Sequence, residues 1–263
     1  MKLSRPTIAA AALLAIATTP AHAQDVSSVT REAPRQQRDR IVIGVGAAAI
    51  PTYQGSDDYR VLPIPVIDIA KGRFFANLRN GIGVNVIDGG PVTIGGSVAL
   101  MPGYRRKDVP DGVDRVTVGG GGRLFANLKA GGAILTVGGT KGFAGSTKGV
   151  IADASLSYPV VASRRLILIP AIGTSWADRK HNDRYFGINA REALASGLPE
   201  YRLGGGFKDV TAGVTANYRL NRRLSLAASA NVSTLLGDAK DSPLVERKTQ
   251  PTGFLSLNYL FGR

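Results

Sequence analysis

The chain contains no cysteine. That excludes a disulfide scaffold, a thiol nucleophile and zinc–thiolate sites. Histidine is nearly as scarce, with two in all, and His22 falls in an N-terminal targeting segment. Only His181 remains for imidazole chemistry in a processed chain. No Gly-x-Ser-x-Gly elbow and no His-Glu-x-x-His pair occurs, so two common hydrolase signatures are missing. No stretch after the N-terminus is a continuous apolar run of the roughly 20 residues that a spanning helix needs. If this chain enters a membrane, it does so as a closed β-barrel.

The first residues carry an export signal. Lys2 and Arg5 form a positive n-region, Thr7 to Ala17 a short apolar core, and Ala21-His22-Ala23 a small-x-small cleavage site. Residues 1–23 are therefore expected to be a cleaved signal peptide. Residues 24–40, polar and rich in charge, are expected to form a flexible periplasmic tail. Residues 41–263 then make one domain. The net charge is +14. Export turns that charge away from nucleic acid and toward lipid phosphates, lipopolysaccharide and the cell wall.

From Ile41 onward the sequence alternates with a period of two. In the last segment Leu255, Leu257, Tyr259 and Phe261 share one face, and Phe254, Ser256, Asn258 and Leu260 the other. Val92 to Met101, Val210 to Tyr218 and Leu224 to Ser233 alternate in the same way. Asn80-Gly81 is a hairpin signal. Pro63 and Pro65 fall inside a strand from Tyr59 to Ala70, which a sheet tolerates at an edge, a strand end or a bulge. The pattern predicts an all-β, antiparallel up-and-down transmembrane barrel of about twelve strands, ten being the alternative.

Alternation alone does not say which face meets lipid. Three other features choose the apolar one: the export signal, aromatics at strand ends (Tyr104, Tyr158, Trp176, Tyr218, Tyr259, Phe261), and loop lengths. With Phe261 at the periplasmic side, short turns fall at Lys71, Asp88, Lys129, Ser163 and Asn221. The longer loops from Pro102, Ala177 and Gly237 fall outside, as in outer-membrane barrels. The stretch Gly72–Gly81 echoes Gly122–Gly131, but the two copies should run in opposite directions, which favours shared vocabulary over duplication.

Chemistry-bearing clusters are few. Ser175, Asp178 and Asp183 lie near His181, but a triad is defined by geometry, and a solvated loop histidine is expected. Asp238, Asp241 and Glu246 match no calcium loop. Gly119–Gly122 and Gly138–Gly142 lack the Walker spacing. Arg105 and Arg106 are expected at the outer rim, against lipopolysaccharide phosphates. Arg164, Arg165, Arg222 and Arg223 are expected on periplasmic turns, against lipid heads or a partner. No catalytic, cofactor or metal residues are assigned.

The loops carry a resemblance. Pro51 to Asp57 (with Tyr53, Gly55, Ser56 and Asp57), Gly103 to Arg106, Ser175 to Asp178, and Tyr185-Phe186-Gly187-Ile188 form one part of it. Ser196-Gly197-Leu198-Pro199-Glu200-Tyr201, Gly237-Asp238-Ala239 and Asp241-Ser242-Pro243-Leu244-Val245 form the rest. In this order they resemble the MipA/OmpV family of Gram-negative outer-membrane proteins, although Gly262 and Arg263 follow the terminal aromatic. The resemblance implies an outer-membrane, non-enzymatic scaffold linking a murein lytic transglycosylase to a peptidoglycan synthase. A porin-like channel is the alternative, anion-preferring if Arg73 and Arg123 face the lumen. A barrel hydrolase comes third.

Overall fold

The computed structural model describes residues 39–261. The expected signal peptide, nearly all of the tail, and Gly262 and Arg263 lie outside the described residues. Strands β1 (Arg40–Pro51), β2 (Tyr59–Lys71), β3 (Phe74–Asn77), β4 (Gly81–Gly89) and β5 (Val92–Met101) come first. β6 (Gly119–Ala130), β7 (Ala133–Ala144), β8 (Val150–Ser157), β9 (Val160–Val161) and β10 (Leu166–Ala177) follow. Two short helices, α1 (Arg179–Phe186) and α2 (Ala190–Ser196), precede β11 (Gly206–Arg219), β12 (Leu224–Leu235) and β13 (Thr249–Phe261).

Every pairing is antiparallel, and β1 closes on β13 from Ile41↔Phe261 to Ala49↔Gly253. β8 and the two-residue β9 both pair with β10, in line. They form one stave broken at Pro159, which has no N–H to give a ladder. The result is a closed barrel of twelve staves. Closure satisfies the backbone groups that hydrocarbon would leave unpaired.

The alternation resolves as expected of a membrane barrel. Leu255 is 53% exposed on the outer wall while its neighbour Ser256 is 2% exposed inside. In water that arrangement would be inside out. Tyr158, Tyr218 and Phe261 sit exposed near strand ends, but Tyr104, expected among them, is buried in a loop cluster instead. In the Gly72 and Gly122 echoes, Phe75 and Phe125 both face inward. They meet edge-on, with centroids 5.6 Å apart, from strands that run in opposite directions, so the echo is shared strand vocabulary.

The loop from 178 to 205 is helical in part, which a pure strand-and-loop reading misses. Asp178 caps α1 through the His181 N–H at 2.8 Å. Asn189 and Glu192 form a reciprocal capping box on α2, and Gly197 ends it in the left-handed conformation. Gly149 lets α1 dock on the wall, because a Cβ there would lie 2.3 Å from Asp178 Oδ1.

Side chains also cross the lumen. Arg123 makes two bonds to Asp153, at 2.6 and 2.9 Å, and reaches Asn80 at 3.2 Å and Thr140 at 3.1 Å. Arg79 donates to Ser155 at 2.7 Å. Together they form a polar floor anchored by the β3–β4 turn. Gly138 makes room for it, since a Cβ there would lie 2.3 Å from Arg123 Nη2. Gly138→Ala should therefore displace the guanidinium and lower stability by about 3 kcal/mol, as expected for disturbing a buried ion pair. Urea titration of the compact, fast-migrating form on unboiled detergent gels measures it; an unchanged midpoint would show that the floor does not depend on Gly138.

Candidate functional site

The outer end of the barrel is closed by its own loops. Four stretches fold inward: 52–58, 102–118, 178–205 and 236–248. Tyr53, Tyr104, Tyr185 and Phe186 form the centre of one buried cluster, with Val113, Val116, Ile188, Leu203 and Leu244 around them. Ring centroids lie 5.6 Å apart for Tyr53–Tyr104, 5.2 Å for Tyr104–Tyr185 and 4.8 Å for Tyr185–Phe186. Aromatic packing supplies area, and each hydroxyl spans loops. Tyr53 donates to the Leu244 carbonyl at 2.9 Å and Tyr104 to the Tyr185 carbonyl at 3.1 Å. Tyr185 accepts from the Gln54 N–H at 3.3 Å. Burial pushes the Tyr185 hydroxyl up to about 12 and also raises Tyr104 and Tyr53. All three stay protonated, Tyr53 and Tyr104 as donors and Tyr185 as an acceptor.

Most of the loop-motif residues converge here. Tyr53, Gly55, Ser56, Tyr185, Phe186 and Ser242 are buried. Ser242 donates to the Phe186 carbonyl at 2.5 Å, and Tyr201 to the Asp238 carbonyl at 2.9 Å. Leu198 and Tyr201 pack against the cluster. Gly187 and Pro243 are half-buried, as is Ser196, whose hydroxyl returns to the Glu192 carbonyl at 2.7 Å. Gly55, Gly197 and Gly237 hold positive φ at bends, and the Asp57 N–H meets Glu246 at 3.2 Å. Motifs spread over about 190 positions of chain thus describe one cap.

Beneath the cap lies a buried polar cluster. Ser175 donates to Asp209 Oδ1 at 2.6 Å, Gln54 donates to Oδ2 at 2.6 Å, and Lys208 bonds both Asp209 and Gln54. Lys208 and Asp209 are neighbours in sequence yet both are buried. A bulge explains this: the β10–β11 register shifts between Ser175 and Trp176, and Phe207 and Asp209 pair while Lys208 is left over. The bulge re-aims a side chain that simple alternation would send outward. Sequence pattern places the start of this strand later, at Val210, and so misses the pair. An isolated Lys-Asp beside a glycine run was the available signal.

His181 corrects the expectation of a solvated loop residue. It is 2% exposed and stacks on Tyr185 at 5.8 Å. Burial, then the Lys208 charge, pull its pKa down to about 3. Its Nδ1 has no partner among the described residues. Ser175 spends its proton on Asp209, so the residues weighed for a triad do not assemble one. No cluster of three or more metal-ligating side chains occurs among the described residues. Arg123 faces the lumen as expected but is tied to Asp153, and Arg73 is exposed on a turn. The basis for an anion-preferring channel is therefore gone.

The arginines separate by end. Arg105 is exposed and bonds Asp108 at 3.0 Å. Arg106 lines an outer-rim cavity of about 400 Å³ with Arg115, Arg184, Asp114, Thr117 and Ser146. Arg164, Arg165, Arg222 and Arg223 are exposed on the opposite rim.

The family model described as MltA-interacting protein MipA matches residues 43–261. YiaT of Escherichia coli K12, described as an outer membrane protein, is 32% identical over 97 residues, 37% of this chain and 39% of YiaT. The MltA-interacting protein of Escherichia coli K12 is 25% identical over 111 residues, 42% of this chain and 43% of that protein. The aligned stretch thus spans about two-fifths of the length of these relatives. Among solved structures, an outer membrane channel from Pseudomonas putida F1 superposes with a TM-score of 0.42 at 12% identity, over 87% of this chain and 99% of that one.

The buried histidine sets a pH dependence. Its folded value, about 3, lies below its ordinary 6.5, so the opened cap binds the proton that the closed cap refuses. Stability from this group is complete above about pH 6.5 and falls as pH drops toward 3, by about 1.4 kcal/mol per unit. Between pH 7 and pH 5 the cap should lose about 2 kcal/mol, read as a lower urea midpoint for Trp176 fluorescence. His181→Gln should flatten that difference; equal slopes in both proteins would refute it.

Proposed function

The chain belongs to the MltA-interacting protein family, and from that premise we propose that this outer-membrane barrel is a closed anchor that holds cell-wall enzymes at the membrane. A lytic transglycosylase of the MltA kind is the first partner, and a peptidoglycan synthase the second. One observation carries the reading: the lumen is crossed at two levels, by the tyrosine-centred cap above and the Arg123–Asp153 floor below. A barrel filled in this way offers little passage, so its outer surfaces and rims are what it has to work with.

The periplasmic rim suits a partner. Arg73, Arg164, Arg165, Arg219, Arg222 and Arg223 are all exposed there, against Asp39 and Asp88. Closely spaced cations on short, rigid turns steer and orient an acidic protein surface. Arginine also suits bidentate pairing with carboxylates. The cap then keeps the barrel shut on the outside, and the turns present the charge inside.

Capture of a purified transglycosylase by the full barrel in nanodiscs tests this. Charge reversal at Arg164, Arg165, Arg222 and Arg223 should weaken binding at least tenfold and flatten its salt dependence, while heat-modifiable migration stays intact. Planar bilayers should show no steady conductance. Stable open channels, or binding indifferent to all four reversals, would sink the proposal.

A further inference from the structure

The cavity on the outer rim holds about 400 Å³ and is lined by Arg106, Asp114, Arg115, Thr117, Ser146 and Arg184. Backbone pairing sets one wall. Tyr104 and Val116 form an isolated antiparallel bridge, with the Tyr104 N–H donating to the Val116 carbonyl at 2.8 Å and the return bond at 3.2 Å. Arg106 lies just past one side of that bridge and Arg115 just before the other. The bridge therefore brings both to one mouth. Arg184, in the last turn of α1, donates from Nη2 to the Arg115 carbonyl at 2.7 Å and supplies the third guanidinium.

Two glycines set the other wall. A Cβ on Gly145, which holds positive φ, would lie 2.4 Å from the Gly119 Cα. This close approach joins the start of β6 to the end of β7 and places Thr117 beside Ser146. The Thr117 N–H donates to Ser146 Oγ at 2.9 Å, and the two hydroxyls lie 2.8 Å apart. Their contact uses one of two hydroxyl protons. The other is left to donate into the cavity.

The charge there is unbalanced. Asp114 is the one carboxylate in the lining, and it is already ion-paired with Arg191. Among the described residues no acceptor meets the Arg106 or Arg115 guanidinium. Three cations around one space repel each other, and an anion between them relieves that. A phosphate monoester suits the donor set better than a carboxylate. It brings about −1.5 to −2 charge and three acceptor oxygens, and arginine forks pair with it bidentately. The volume falls within the roughly 300–1,000 Å³ of small-molecule sites.

Position indicates the carrier. Thr117 directly precedes Val118, which is 63% exposed on the lipid-facing wall, and Ser146 closely follows Phe143, 59% exposed on the same wall. The cavity thus adjoins the lipid boundary at the outer ends of β6 and β7. Of the two arginines expected against lipopolysaccharide phosphates, Arg106 lines the cavity, while Arg105 turns to Asp108.

We propose that this cavity binds a phosphate monoester carried by an outer-leaflet glycolipid. The phosphate seats among Arg106, Arg115 and Arg184 and accepts the spare Thr117–Ser146 proton. The acyl chains of the same lipid lie along Val118 and Phe143. The site is on the opposite rim from the arginines offered to a cell-wall enzyme and does not depend on them.

Native mass spectrometry of the full barrel, released from detergent with lipid A bearing both phosphates, tests this. A one-to-one adduct should form, and dephosphorylated lipid A should bind at least about tenfold more weakly. Arg106→Gln with Arg115→Gln removes guanidinium groups that bond nothing within the protein, so heat-modifiable migration should persist. That pair should raise the half-saturating concentration about tenfold, and adding Arg184→Gln should raise it further. Arg164→Gln with Arg165→Gln removes the same charge from the periplasmic rim and should leave it unchanged. A second arm adds inorganic phosphate alone to the barrel in nanodiscs free of glycolipid and follows the phosphorus NMR line width. Saturable broadening that the Arg106→Gln, Arg115→Gln pair abolishes, with lipid A binding indifferent to it, would assign the cavity to free phosphate. Equal binding of dephosphorylated lipid A, equal losses from the two rims, or indifference of both probes to the cavity variants would overturn the proposal.

Discussion

Backbone hydrogen bonding in hydrocarbon governs this structure. Each strand residue brings a donor and an acceptor that lipid cannot satisfy, and leaving one unmet costs several kcal/mol. Closure of β1 on β13 answers that for almost the whole wall. Other features then adapt to a closed cylinder. Glycines such as Gly138 leave space for charged side chains inside. Short turns carry cations at one end, and long loops fold over the other. The edge of β2 is the exception: above Asp68 it has no strand beside it among the described residues, and Pro63 and Pro65 there have no donor to leave unmet.

Charge inside the barrel is handled in pairs. Arg123 with Asp153, and Lys208 with Asp209, are almost wholly buried. Such pairs contribute less to net stability than their short distances suggest, because desolvation offsets the Coulomb attraction. Their effect is positional. The first fixes the β3–β4 turn to the opposite wall. The second, with Gln54 and Ser175, ties the first loop to β10 and β11 beneath the cap. The tyrosines add the apolar area and direct their hydroxyls to carbonyls on other loops. The cap is therefore a folded subdomain made entirely from connections, and its histidine is kept neutral by burial.

Legibility in the sequence divides along the range of the interactions. Leu255, Leu257 and Phe261 announce their face because side-chain direction in a strand is local, with a period of two. Pro63 and Pro65 marked an edge, a strand end or a bulge for the same reason, since a proline lacks its donor wherever it stands. The loop motifs around Tyr53, Tyr185 and Ser242 could be noticed as unusual, but not as neighbours. Tyr104 read as an interfacial aromatic and His181 as a solvated loop residue, and both lie in the cap core. Tyr104 is buried against Tyr53 and Tyr185, 51 and 81 positions away, and His181 against the segments that carry Gly149 and Lys208.

By itself the sequence determined an antiparallel barrel of about twelve strands, which side faces lipid, and which turns lie inside the cell envelope. The strands follow from alternation and turn residues, readable within a few neighbouring positions; the lipid-facing side and the orientation needed the export signal, the aromatic strand ends and the loop lengths as well. Tertiary structure alone decided that the loops close the mouth, that a bulge turns Lys208 inward, that Arg123 is neutralised by Asp153, and that the wall stops short beside β2. Each of those depends on strand register and on contacts between distant segments. A one-residue shift in pairing changes which side chains and which backbone groups meet, and no local pattern records it.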